Sequence, residues 1–299
     1  MSLIVEQKKI AKIQDIKKTG MHALKRVSCS LEKPIDIVFE EPIIYEFNID
    51  GVLFEIFAHL KYESPYLYVF SPTEVDANKY SLPCFIRWSW AIKCPYSAIS
   101  LNDPTLYLGD VKVGWFQGTE DNYYLPKICD IVRILATHIN MSTQSILFCG
   151  SSAGGFTSLM MAAYFRSAAF VVNPQTDLAR DGKYRLDPLL RRCFSGISRE
   201  EARNKFLHRL SVPAYYRLAN YIPKIYYLQN TTDKFHWKNH YLPFIQSIGE
   251  MNAERDDWLD RVMIQSELYC HGDHKQGSKL VSFESWMTRC EQLMKTQQL

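Results

Sequence analysis

Beyond about residue 62, short apolar segments of strand length alternate with longer segments whose apolar residues recur at helical spacing. This alternation is typical of a mostly parallel sheet that helices cover on both faces. It predicts strands at Tyr66–Phe70, Ser97–Leu101, Ser145–Cys149, Ala168–Val172, Lys224–Leu228 and Val262–Tyr269. It predicts helices at Leu125–Ile139, Gly154–Arg166, His240–Met251 and Ser282–Lys295.

The first 62 residues have a different pattern. Residues 3–33 have helical spacing interrupted by Gly20, and residues 35–60 alternate like two strands around the turn signal Asp50-Gly51. The sequence therefore predicts an N-terminal helix and β-hairpin appendage (1–62), followed by an α/β domain (63–299). Residues 177–221 are long and charged for a crossover, which indicates a helical insertion or lid.

Composition narrows the function classes. The chain has 299 residues, 47% of them hydrophobic, and a net charge of only +3. These values indicate a globular core and do not favour a nucleic-acid partner. Lysines near the N-terminus are interleaved with isoleucines, as on the solvated side of an amphipathic helix. The eight cysteines form no CxxC pair, and no signal-peptide pattern or transmembrane segment is evident. We therefore expect a cytoplasmic protein with reduced thiols.

The strongest chemical signal is ILFCGSSAGGF, where an apolar strand runs into a glycine-rich turn and then a helix. Only Ser152 satisfies the G-x-S-x-G pattern of a nucleophile elbow, with Gly150 and Gly154 flanking it. Glycines are needed there because side chains would collide with the neighbouring strand and helix. The alternative, a nucleotide-binding glycine turn, lacks both the G-x-G-x-x-G spacing and a following GK[ST].

A serine nucleophile needs a base and an acid, which follow it along the chain in proteins that carry this elbow. Asp233, after the apolar segment KIYYLQN, is the predicted acid, with Asp177 as the reserve. Asp233 is also well placed to cap a helix. His274 is the predicted base and His271 the alternative, because the intervening Gly272-Asp273 lets the loop turn back over the sheet edge.

Two further assignments depend on this triad. The backbone N–H of Ala153 is one predicted oxyanion donor, and the second is expected from residues 71–73. Asp233, His236 and His240 have a spacing that could instead present metal ligands. The sequence has no HExxH motif or cysteine pair, so we predict no metal site and no cofactor, and interpret His236 and His240 as surface histidines.

From about residue 63 to the end, the predicted strand order, the elbow and the late Asp and His resemble the α/β-hydrolase superfamily. Five segments are similar to little-characterised bacterial proteins associated with surface-polysaccharide synthesis and, more distantly, to the acetyltransferase-like component of the accessory Sec system. These are FIRWSWA (85–91), LNDPTLYLG (101–109), GWFQGT (114–119), GSSAGGF (150–156) and NPQTDL (173–178). No HGGG-type oxyanion motif is present.

The resemblance implies an α/β-hydrolase fold and acyl or acetyl chemistry on a sugar hydroxyl. Ser152, Asp233 and His274 would be the matching triad. Arg87 and Trp88 have the chemistry to line a sugar site, although tryptophans at strand spacing, as Trp88 and Trp90 are, more often belong to the core. The predicted function is a serine-dependent esterase or O-acyltransferase, whose partners are a small acyl ester and a saccharide acceptor. The alternative is a non-catalytic hydrolase-fold scaffold in a polysaccharide or glycoprotein assembly system.

Overall fold

A computed structural model describes residues 3–76, 78–181, 184–254, 263–274 and 281–295. Nine of its strands form a single sheet in the order β1-β2-β3-β5-β4-β6-β7-β8-β9. Only the pairs β2/β3 and β3/β5 are antiparallel. The strands are β1 (Arg26–Cys29), β2 (Pro42–Ile49), β3 (Val52–His59), β4 (Leu67–Phe70), β5 (Ser97–Leu101), β6 (Ile146–Ser151), β7 (Ala168–Val172), β8 (Lys224–Asn230) and β9 (Ile264–Tyr269).

Helices cover both faces of this sheet, as the alternating pattern predicts. One face packs on α1, α2 and α10, and the other on α3 to α7 and α9. The helices are α1 (Leu3–Thr19), α2 (Trp88–Lys93), α3 (Tyr124–His138), α4 (Ala153–Phe165), α5 (Leu186–Cys193), α6 (Arg199–Leu210), α7 (Val212–Ala219), α8 (Lys234–His236), α9 (Leu242–Ala253) and α10 (Phe283–Lys295). A π-helical turn, Trp237–Tyr241, joins α8 to α9. None of the described helices is long and apolar enough to cross a bilayer.

Strand β6 illustrates why the central strands have continuous apolar sequences. Ile146 and Phe148 face one layer of helices, while Leu147 and Cys149 face the other. Both faces are buried, so neither set of positions can be polar. The C-terminal ends of β4 and β6 to β9 lie along the same sheet edge because these strands are parallel.

The predicted hairpin forms β2 and β3 around Asp50-Gly51, and it belongs to the same sheet as the α/β region, since Ile56 of β3 pairs with Leu101 of β5. Two parts of the sequence interpretation are wrong. Residues 26–29, expected to be helical, form β1 and pair parallel with β2. Trp88 and Trp90, interpreted at strand spacing, lie on helix α2.

Candidate active site

Ser152 occupies a sharp turn between β6 and α4, with φ 52° and ψ −120°. Residues other than glycine rarely adopt this conformation, which therefore stores strain. The close packing around the turn explains the neighbouring glycines. A Cβ on Gly150 would lie 2.1 Å from the carbonyl oxygen of Gly154, and one on Gly155 would lie 2.4 Å from Cβ of Pro174. The sequence GSSAGG thus permits a tight strand-to-helix turn with Ser152 between β6 and α4.

The loop after β4 packs directly against this turn. A Cβ on Gly154 would meet the carbonyl oxygens of Pro72 and Ser71 at 2.7 and 3.0 Å. The hydroxyls of Ser71 and Ser158 lie 2.8 Å apart, which joins the loop to α4. Residues 71–73 therefore lie beside the N-terminus of α4, where the first N–H groups have no partner within the helix.

Residues 71–73 of this loop are the candidates for the predicted second oxyanion donor, and they differ in their backbone N–H groups. The N–H of Ser71 already donates to the carbonyl of Cys149 at 3.0 Å. Pro72 has no N–H. Of the three residues, Thr73 therefore remains the candidate for the predicted second donor.

Asp233 lies just beyond the C-terminal end of β8 and is 5% exposed. Its Oδ1 accepts the backbone N–H of His236 at 3.2 Å, so the carboxyl caps α8 as the sequence allows. Its Oδ2 lies 2.5 Å from Nδ1 of His274. One carboxyl group therefore both starts a helix and contacts a histidine 41 residues further along the chain.

The loop that carries His274 is held by Asn230, the last residue of β8. The Asn230 side chain accepts the N–H of His271 at 3.2 Å and donates to the carbonyl of His271 at 2.8 Å. The hydroxyl of Thr232 donates to the carbonyl of Gly272 at 2.6 Å. His271 is thus anchored through its backbone while its residue is exposed, and His274 is the histidine in contact with Asp233.

The reserve acid has other partners. Asp177 caps the turn at Leu178–Arg180 and lies 3.3 Å from Arg180 and 3.6 Å from Arg203. The structure thus brings His274 to Asp233, and it engages Asp177 in an arginine cluster at the start of the helical insertion.

His236 is the neighbour that sequence reasoning assigned wrongly. It is 5% exposed rather than a surface residue, and its ring lies 4.1 Å from that of His274 with 8° between the planes. Its Nδ1 lies 2.9 Å from Oδ2 of Asp233, a close contact without the alignment of a full hydrogen bond. The spacing of three residues places His236 on the same helical turn as Asp233. The stacking of His274 on His236 depends on the tertiary fold and is not visible in the sequence.

Burial and hydrogen bonding act in opposite directions on these groups. Burial opposes ionisation of Asp233, but the contacts from His236 and His274 outweigh it and hold the pKa of the carboxyl well below its usual range. Burial lowers the pKa of His236, although Asp233 opposes the shift. Burial also lowers the pKa of His240, which is fully buried rather than superficial. The arrangement favours an ionised Asp233 beside neutral His236 and His240 rings.

Asp233, His236 and His274 also form the group of side chains best able to approach one metal ion within the described chain. Two ligand atoms on a tetrahedral zinc ion lie about 3.3 Å apart, as its usual bond lengths require. The Asp233 oxygen is 2.5 and 2.9 Å from the two Nδ1 atoms. The Asp233 oxygen is therefore closer to both nitrogens than two ligands of one tetrahedral zinc ion would be to each other, and its contact with His274 is a hydrogen bond.

Arg87 and Trp88 lie near the start of α2, on the sheet face opposite α4. The Arg87 guanidinium donates to the hydroxyl of Ser151 at 2.8 Å and lies over the rings of Trp90 and Trp286. Burial lowers the pKa of Arg87 to about 10, which leaves it charged at neutral pH. Arg87 therefore holds Ser151, the residue before Ser152, through this hydrogen bond. Trp88 packs edge-on against Phe57. Their predicted contact with a sugar stays a prediction.

No protein-family model matches the sequence, and no curated protein matches it significantly. Solved structures share its fold. The capsule O-acetyltransferase of Neisseria meningitidis serogroup A aligns with a TM-score of 0.56 at 14% identity, over 83% of this chain and 96% of that one. A glycosylation-associated protein complex (Gap123) from Streptococcus agalactiae aligns with a TM-score of 0.55 at 15% identity. The alignment covers 81% of this chain and 44% of that one.

A third structure extends the likeness to a hydrolase. An S-formylglutathione hydrolase from Agrobacterium tumefaciens aligns with a TM-score of 0.54 at 12% identity, over 87% of this chain and 97% of that one. At such identities the likeness shows the fold. Together with the strand order, it identifies the chain as an α/β-hydrolase-fold protein that resembles a capsule O-acetyltransferase and a glycosylation-associated protein.

Proposed function

We propose that the protein is a serine-dependent esterase or O-acyltransferase that passes an acyl group, most simply acetyl, through Ser152 to a saccharide hydroxyl or to water. The contact of 2.5 Å between Asp233 Oδ2 and His274 Nδ1 carries this proposal. A carboxylate that accepts the Nδ1–H holds a neutral imidazole in the tautomer whose lone pair is on Nε2, which is the tautomer that a general base requires.

The topology supports the choice of nucleophile. Ser152 follows β6, Asp233 follows β8, and His274 follows β9, so all three belong to one edge of the sheet. The strained turn at Ser152 is the second supporting feature, because backbone strain of this kind is found mostly at functional sites.

In the first half of the proposed reaction, His274 Nε2 takes the proton of Ser152 as Oγ attacks the carbonyl carbon of the acyl donor. The resulting oxyanion is bound by the N–H groups of Ala153 and Thr73. Collapse of the tetrahedral species breaks the bond to the leaving group, which receives the proton from His274, and leaves acyl-Ser152. Asp233 remains ionised and stabilises the imidazolium throughout.

The second half repeats these steps with a hydroxyl in place of the serine. His274 removes the proton of a saccharide hydroxyl or of water, the oxygen attacks acyl-Ser152, and the proton returns to Ser152 Oγ. The saccharide acceptor is suggested by the capsule O-acetyltransferase likeness, and that enzyme has also been solved in a complex with CoA. Acyl thioesters are therefore donors to test alongside simple esters.

The deciding experiment needs no knowledge of the substrate. The protein is treated with a fluorophosphonate near neutral pH, and its intact mass is compared with that of Ser152→Ala and His274→Ala. We expect one adduct on the wild type and none on either variant. Ser151→Ala, which changes the neighbouring serine, should still be labelled.

A wild type that stays unlabelled across the neutral range would contradict the proposal and favour a non-catalytic scaffold. If labelling succeeds, acetyl release or transfer is followed next with 4-nitrophenyl acetate and acetyl-CoA as donors, with and without added oligosaccharides. Faster ester consumption with an oligosaccharide and the appearance of its acetylated form would identify a transferase.

A further inference from the structure

Asp233 is contacted by two histidines through the same oxygen atom. Nδ1 of His274 lies 2.5 Å from Oδ2, and Nδ1 of His236 lies 2.9 Å from it. The backbone N–H of His236 also donates to Oδ1 at 3.2 Å. His236 therefore touches both oxygens of the carboxyl group, once through its backbone and once through its ring.

The two rings also touch each other. Their centroids are 4.1 Å apart and their planes differ by 8°, so His236 forms a flat surface against one face of the His274 ring. The His236 side chain is 7% exposed and that of His274 is 27% exposed. His274 is thus the member of the stack that faces solvent, and His236 is the support beneath it.

The charge of the lower ring decides whether this stack helps a base. A neutral aromatic face attracts a cation placed over it, whereas a second imidazolium would repel it. The charged and titratable groups around His236 are Asp233, His274, Arg185 and the buried His240. Arg185 and burial both favour the neutral form of His236, and burial acts most strongly.

We propose that His236 is a positioning residue of the acyl-transfer site, which fixes the Asp233 carboxyl group and supports the His274 imidazolium from below. The inference rests on the function proposed above. His236 acts through the other two residues, and it does not touch the reacting atoms. Its ring has two separable effects, because Nδ1 lies 2.9 Å from Oδ2 of Asp233 and the ring face lies against that of His274.

These effects predict opposite shifts in two variants. His236→Phe keeps a flat ring but removes the N–H, so Asp233 directs more of its negative charge to the imidazolium. Protonation of the base becomes easier, and the acidic limb of the pH profile should move to higher pH. His236→Asn keeps an N–H near the Nδ1 position but removes the ring, so the imidazolium loses its support and the limb should move to lower pH.

The measurement is the second-order rate of fluorophosphonate labelling as a function of pH, from about pH 5 to about pH 9. We expect shifts of about half a pH unit in opposite directions and rates about tenfold lower in both variants. His208→Phe, which changes an exposed histidine on α6, should leave the midpoint in place. Midpoints that stay fixed, or that move together, in both folded variants would overturn the inference.

A second measurement covers the case in which the variants do not fold. Nitrogen-15 spectra of the wild type distinguish a neutral imidazole protonated on Nδ1 from other forms, and the contact with Asp233 predicts this tautomer for His236. A charged His236 in the pH range where labelling is fast would overturn the inference. A wild type that is not labelled at all would instead contradict the proposed function, so the two failures are distinguishable.

Discussion

Asp233 and His274 are 41 residues apart in sequence, yet their Oδ2 and Nδ1 atoms lie 2.5 Å apart. Parallel pairing of β8 and β9 makes this possible, because it brings the loops that follow both strands to the same edge. Asn230 then fixes the second loop through two hydrogen bonds to the backbone of His271. The contact therefore depends on the parallel strand order and on the hydrogen bonds of the Asn230 side chain.

Asp233→Asn removes the negative charge at this contact and keeps nearly the same side-chain shape. The amide can present its N–H to Nδ1 of His274, which would place the ring proton on Nε2 and remove the base. Labelling by the fluorophosphonate should slow by about ten thousand-fold. The variant should still be folded at the labelling temperature, as its thermal midpoint shows. Labelling and melting are measured on the same sample. An unchanged labelling rate would contradict the assignment of Asp233.

Much of this edge was predictable from sequence for a physical reason. The GSSAGG turn is imposed by collisions at Gly150 and Gly155, and such local steric demands leave a recognisable pattern. Asp233 was predictable because a polar turn directly follows an apolar strand. These features depend on neighbours along the chain.

The remaining features depend on contacts between distant segments. The stack of His236 on His274 requires the loop after β9 to pass over α8, and no local pattern encodes that crossing. The pairing of β1 with β2 likewise rests on an edge contact, whereas the sequence around Arg26 continues a helical rhythm. The polar residue that ends β8, Asn230, is the signal in the sequence that could have indicated the loop clamp.

Ser152→Gly should make the protein more stable while abolishing labelling. Glycine adopts φ 52° and ψ −120° without the clash of a Cβ atom, so the strain at the turn is released. We expect a gain of about 1 kcal/mol in the free energy of unfolding. Ser152→Ala is the matched control, because it removes the hydroxyl but keeps the Cβ. Equal denaturation midpoints for the two variants would show that the turn is not strained.

Thr73→Pro tests the second oxyanion donor, because proline removes one backbone N–H. The rate of 4-nitrophenyl acetate turnover should fall by about a hundred-fold or more if this N–H binds the developing oxyanion. Thr73→Ala keeps the N–H and changes only the side chain, so it should retain most of the rate. Similar losses in both variants would assign the effect to the side chain or the loop. Circular dichroism checks that the proline variant is folded.

His59 should make stability depend on pH without affecting the site. It ends β3 beside Ala98 at the start of β5, and it is 4% exposed. Burial, together with the charges of Lys61 and Lys12, lowers the pKa of His59 to about 4 from its ordinary 6.5. The unfolded chain therefore binds a proton between these values that the folded chain does not bind. Stability due to this residue is present above pH 6.5 and is lost as the pH falls toward 4.

The lost contribution is about 3 kcal/mol, from a shift of roughly two and a half pH units. His59→Gln removes the titration, so its free energy of unfolding should fall less steeply between pH 6.5 and 4 than that of the wild type. Urea denaturation at several pH values measures both curves, and His236 and His240 contribute equally to each. Parallel curves would contradict a neutral, buried His59. The labelling rate of Ser152 at pH 7.5 should be the same in both proteins, because β3 ends at the edge opposite the elbow.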